Sequence, residues 1–460
     1  GKTNLDQFAT GLVGTRSPYG AVSSPFDPRY ISGGSSSGSA ASVANGLCAF
    51  SLGTDTAGSG RVPAGFCNLV GIKPTPGLVS TRGVVPACRS LDCVSIFAHT
   101  VEDGWRVLST IAGTDAEDCY SHPPQPLGPL VRNIRVAIPA HAEFHGDALA
   151  AAAFEAAVKA LADDPRVTIT TIAMDDFLEV ATLLYDGPWV AERRAALGDF
   201  LTTHGDAMDP VVRAVIARAD GKTAVDAFQG AYRLEAGKRR AEQVFAAIDL
   251  LVVPTAPCHY TLDEIAAAPI ERNSHLGHYT NFVNLLGLSA LALPGPFRSD
   301  GLPAGITLVG PHGADHRLAE FARSIEPRLH QRLGTGTATP PRRQDVLPPL
   351  PAIEDTVDVI VIGAHLAGLP LNWQLLERGA RLKASTTTAP EYRFYALPGT
   401  VPPKPGLLRV AEGGGAIAVE VWSLPSRHFG SFVAEIPAPL GIGTLRLADG
   451  SEAKGFLCEP

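Results

Sequence analysis

The chain has 460 residues, 45% hydrophobic and 18% charged, which supports a large core divided among more than one domain and excludes a disordered chain. A net charge of −8 argues against the basic footprint that nucleic acid or an anionic membrane requires, so a small soluble substrate is expected. No apolar run reaches the roughly 18 residues of a membrane span, and the first residues lack the basic-then-apolar order of an export signal. The 7 cysteines are odd in number and show no C-x-x-C spacing, so they read as reduced core thiols of a cytoplasmic protein, with no disulfide framework and no metal site.

In chain order, a zone rich in Gly, Ser and Ala runs from Gly1 to about Asp115 and holds residues 33–41 (GGSSSGSAA) and 53–63 (GTDTAGSGRVP). Such composition often marks a flexible linker, but the apolar, helix-prone residues 40–52 separate the two clusters, which a linker would not contain. A helical zone follows, with strong helix formers over 149–162 and 226–248. Buried strands are expected at 250–253, 288–293 and 305–309, so helices and apolar strands alternate as in an α/β layer architecture. Residues 334–352, rich in Pro, Gly and Thr, form the expected linker between a domain at 1–333 and a smaller α+β domain at 353–460. That second domain should open with a β-branched strand at 357–362 and a helix at about 370–377.

The chemistry is expected in the first zone. A Gly-rich turn can aim several backbone N–H groups at one point and leave a serine hydroxyl free beside it, and Ser59 between Gly58 and Gly60 suits that geometry. A serine needs a partner to take its proton, and neither cluster contains a His. The G-x-S-x-G elbow is matched only imperfectly, because Ala57 and Arg61 stand at its outer positions.

These two clusters resemble the hallmark of the amidase signature family, a GGSSGGSAA-like loop followed by GTDTGGSIRIPA. The resemblance implies a mixed β-sheet covered by helices on both faces, and a Ser, cis-Ser, Lys triad. Ser59 would be the nucleophile, Ser35 the cis-peptide serine that relays the proton, and the N–H groups of Thr56, Ala57, Gly58 and Ser59 the oxyanion hole. Ser35 and Ser59 are 24 residues apart, the separation characteristic of the family. Ser37 and Ala57 replace family glycines and Gly60 replaces an Ile, without removing a reacting atom. The family's lysine lies several dozen residues upstream of the cis-serine, so the chain is read as shortened at its N-terminus and lacking that lysine. Lys2 belongs to residues 1–11 (GKTNLDQFATG), which are similar to a family stretch whose lysine is a scaffold residue.

Residues 15–34, 78–97 and 185–193 (YDGPWVAER) are similar to allophanate hydrolases within that family. The resemblance makes Tyr185 and Arg193 the binders of a small anionic amide, allophanate. Gly187 and Pro188 suit an N-cap and a first helical position, which would put Arg193 just over one turn into a helix, able to hold a carboxylate bidentately. Asp55 and Asp92 are read as structural partners of Arg61 or Arg89. In the second domain, residues 359–368 (VIVIGAHLAG) fail the dinucleotide fingerprint because His365 occupies its middle glycine. With 392–399, 416–425 and 439–443, they resemble the C-terminal domain of allophanate hydrolases, similar to the γ-glutamylcyclotransferase fold and associated with decarboxylation. His365 is its candidate site residue. No cofactor is implied, and the resemblance suggests a homodimer. The alternatives are another amidase of the family, or a scaffold silenced by the absent lysine.

Overall fold

The computed structural model describes residues 1–128, 130, 133–341, 347–348, 350, 355–397, 399 and 401–458. Of the expected linker, positions 342–346, 349 and 351–352 lie outside the described residues, as do 353–354 and 459–460 of the expected second domain. The chain divides into two compact units: Gly1–Pro124 with Arg132–Pro351, and Gln125–Val131 with Ala352–Pro460.

The first unit is built on an eight-stranded sheet of β1 (Phe50–Asp55), β2 (Val70–Lys73), β3 (Cys93–Ala98), β4 (Ile134–Pro139), β5 (Val167–Ile172), β6 (Leu250–Pro254), β7 (Ser289–Pro294) and β8 (Gly305–Gly310), in the order β1-β3-β2-β7-β8-β6-β4-β5. β4 pairs parallel with β5 and β6, and the other neighbours are antiparallel. The continuous apolar runs expected at β6 and β7 are buried along their whole length, as central strands covered on both faces must be. β5, at one edge, has only exposed and half-buried positions. Helices cover the sheet on both faces, as expected.

The helix formers give helices Ala148–Ala162 and Ala224–Ala247, the first capped by Asp147 and the second by a Thr223–Asp226 capping box. The helix-prone stretch 40–52 is not one helix. It ends at Ala44, Gly46 turns the chain with φ +70°, and Phe50 starts β1.

In the second unit β9 (Thr356–Val361), β10 (Arg381–Thr387), β13 (Ala418–Pro425), β14 (Leu440–Arg446) and β15 (Glu452–Cys458) form a sheet in the order β10-β13-β9-β15-β14, beside a ribbon of β11 (Tyr392–Ala396) and β12 (Pro405–Arg409). Period-two alternation along β9 places Ile360 in one core and Val359 and Val361 in another. The helix expected at 370–377 shrinks to Trp373–Leu376. The preceding residues form a loop in which Leu371 N donates to Ala364 O and Asn372 Nδ2 to His365 O.

Candidate active site

β1 ends at Asp55, a fully buried carboxylate that organises the next turn. Its Oδ1 accepts from Gly58 N at 2.8 Å and its Oδ2 from Gly60 N at 3.0 Å. Arg61, also fully buried, meets it side-on, with Nε and Nη2 each at 2.9 Å. Burial would raise the Asp55 carboxyl, but Arg61 outweighs it and holds the group below the usual carboxylate range. From behind, Asn284 accepts from Arg61 Nη2 at 3.0 Å and donates to Asp55 O at 2.7 Å, while Thr280 Oγ1 donates to Ala57 O at 2.6 Å. A side chain at Gly58, whose φ is +132°, would run into Thr280.

These ties bear on the expected oxyanion hole. The Gly58 N–H is turned to Asp55, whereas the N–H groups of Thr56, Ala57 and Ser59 have no acceptor among the described residues. Asp92 has a role that its sequence neighbours do not suggest. It pairs with neither Arg61 nor Arg89, but accepts from Thr56 Oγ1, from Ala87 N at 2.9 Å and from Cys88 N at 3.2 Å. Burial pushes its carboxyl up.

Ser59 is 2% exposed, and its hydroxyl points at Gly11 O at 3.5 Å. The serine-rich loop is stitched to β1: Ser36 Oγ bonds both Thr54 N and Thr54 O at 3.1 Å, and Ser39 Oγ donates to Leu52 O at 2.9 Å. Ser35, fully buried, follows a cis peptide bond from Gly34, and its carbonyl accepts from Asp6 N at 3.0 Å. Its hydroxyl has no partner among the described residues, a costly state for a buried polar group. Lys2 is exposed, and the buried Lys73 donates to Leu288 O, so neither reaches it.

Tyr185 precedes the helix Trp189–Leu197, and Arg193 sits on it. Pro188, not Gly187, is the N-cap, so the helix begins one residue later than the sequence suggests. Arg193 is 2% exposed; its Nη2 donates to Tyr185 OH at 3.2 Å, and its guanidinium lies 5.1 Å from the tyrosine ring centre. Its Nη1 donates to Thr10 Oγ1 at 3.1 Å and approaches Ala9 O at 3.5 Å. Burial opposes its charge, but nearby Tyr185, Cys88 and Asp92 favour it, and the guanidinium stays above its ordinary range. No carboxylate pairs with Arg193 among the described residues. The Ala9–Gly11 segment thus touches Arg193 through Ala9 and Thr10, and Ser59 through Gly11. Thr10 is not among the residues expected from sequence, which offers it only as part of a scaffold motif.

In the second unit, His365 lies in a small cleft that Gln374, Lys404, Phe432, Glu435 and Phe456 also line. Its Nε2 is 2.7 Å from Gln374 Oε1, its ring stacks on Phe456 with centres 4.9 Å apart, and burial holds its pKa below the usual range.

The family model for amidases matches residues 1–319, and that for the allophanate hydrolase C-terminal domain matches 357–460. Urea amidolyase from Lachancea kluyveri is 44% identical over the whole of this chain, which spans 26% of that protein's length. The structure of Kluyveromyces lactis allophanate hydrolase is 43% identical, with a TM-score of 0.92 over all of this chain and 77% of its own. That of K. lactis urea amidolyase gives 43% and 0.91, with 28% of its own chain covered. The chain belongs to the amidase family, as an amidase domain followed by the C-terminal domain of allophanate hydrolases.

Proposed function

We propose that this chain carries the active site of an enzyme that hydrolyses allophanate. Ser59 attacks the terminal amide carbon, and its proton passes through Ser35 to a lysine. The oxyanion is met by the N–H groups of Thr56, Ala57 and Ser59, with Gly58 serving as the turn that aims them. Removing one such donor typically costs roughly 3 to 4 kcal/mol of transition-state stabilisation. Ammonia leaves, water cleaves the acyl-enzyme, and N-carboxycarbamate departs to lose CO2, with the His365 cleft the candidate site for that second step. No step calls for a metal or an organic cofactor.

The observation that carries this reading is Arg193, a buried guanidinium with no carboxylate partner among the described residues, one residue along the Ala9–Gly11 segment from the contact of Ser59. A buried charge is stable only when paired, and a substrate carboxylate supplies that pairing. An amidase for neutral amides has no use for it. Tyr185 completes the clamp. Among the described residues no helix is long and apolar enough to cross a membrane. We place the enzyme in the cytoplasm, as a homodimer acting on a small anionic amide in urea catabolism. The test is kinetic: Arg193→Ala should raise KM for allophanate far more than for the neutral malonamide, and an equal rise for both would reject the clamp.

A further inference from the structure

An arginine has five N–H donors arranged as two forks, one of them formed by Nε and Nη2. Arg61 shows that fork in use, gripping Asp55 through both atoms. In Arg193 the opposite edge is the one held. Nη1 is fixed by Thr10 Oγ1 at 3.1 Å, and the Thr10 hydroxyl in turn donates to Phe8 O at 3.1 Å. Tyr185 OH takes one donor of Nη2. Arg193 Nε is buried and has no partner among the described residues.

The backbone around Thr10 is itself unusual. Phe8 and Ala9 both adopt left-handed conformations, with φ of 52° and 50°, which non-glycine residues take at an energetic cost and mostly where a site demands it. The result is that Ala9 O and Thr10 Oγ1 face the same nitrogen of Arg193. Thr10 is 1% exposed, so water does not substitute for its hydroxyl.

Resting on the clamp proposed for Arg193, we infer that Thr10 is the positioning residue that sets substrate specificity: by anchoring Nη1 it turns the Nε–Nη2 fork of Arg193 towards the substrate, which docks its carboxylate side-on. Thr10 does not touch the substrate. Its loss lets the guanidinium rotate, which weakens binding of a carboxylate but not of a neutral amide.

The probes are malonamate, in which a methylene replaces the NH of allophanate, and malonamide, its neutral counterpart, each titrated calorimetrically into this chain. Thr10→Val keeps the shape and removes the hydroxyl; it should weaken malonamate by about tenfold and leave malonamide within about twofold, as expected for one hydrogen bond to a charged group. Thr10→Ser should restore malonamate binding. Thr10→Ala, with the same expected loss, replaces the valine variant if that one does not fold. Unchanged malonamate affinity, or equal weakening of both ligands, overturns the inference. Arg193→Ala separates the role of Thr10 from the clamp itself. If it weakens malonamate selectively while Thr10→Val does not, only the role of Thr10 falls; if it does not discriminate, the clamp is wrong.

Discussion

Arg61 and Arg193 are both buried guanidiniums within the same unit, and they are treated in opposite ways. Arg61 is neutralised side-on by Asp55 and backed by Asn284 and Thr280, so every part of it is committed to holding the nucleophile turn in shape. Among the described residues the hydrogen-bond partners of Arg193 are neutral: Tyr185, Thr10 and Ala9. Asp55 supplies an anion for Arg61, whereas we propose that Arg193 receives one from an incoming ligand. On that proposal the first is architecture and the second is recognition.

Breaking the architectural pair should have the largest effect. Arg61→Ala strands the buried Asp55 carboxylate and is expected to lower stability by about 3 to 5 kcal/mol, read from the midpoint of urea unfolding. Arg193→Ala strands no anion, so the unfolding midpoint should hardly move, while malonamate affinity falls by about 1.5 to 3 kcal/mol. If the two variants lose comparable stability, the distinction between them is lost. Tyr185→Phe keeps the ring under the guanidinium and removes one hydrogen bond; a loss of about 1 kcal/mol in malonamate binding is expected, confined to the anionic ligand.

A last expectation concerns a third arginine. Arg298 is paired with Asp147 and Asp300, and its Nη1 lies 2.9 Å from His259 Nδ1. Burial, then the Arg298 charge, lower the His259 pKa from 6.5 to about 3. The folded protein therefore favours neutral imidazole, and the unfolded chain binds the extra proton first. Stability from this group is complete above pH 6.5 and is lost as pH falls towards 3. His259→Phe should flatten the acid limb of a stability–pH curve between those values. An unchanged slope would show that His259 does not set that limb.

Much of this was legible in the sequence, because it depends on spacing. The runs at β6, β7 and β8 announced central strands, and the 24 residues between Ser35 and Ser59 marked the two loops that Ser36 and Ser39 then bring together. What was not legible depends on backbone direction. Gly58 was expected to offer its N–H to substrate, yet Asp55 takes it, and only the orientation of the turn decides between them. Asp92 lies near arginines in sequence but caps the Ala87–Cys88 backbone. Thr10 gains its role from a contact with a helix 183 residues away, which no local pattern encodes.

The central claim is the proposal that Ser59, relayed by Ser35, cleaves allophanate. The most direct measurement is ammonia release from allophanate by an active enzyme that contains this chain, with and without Ser59→Ala and Ser35→Ala. The proposed mechanism predicts that release is lost with Ser59→Ala and falls steeply with Ser35→Ala. Release that survives Ser59→Ala would contradict it.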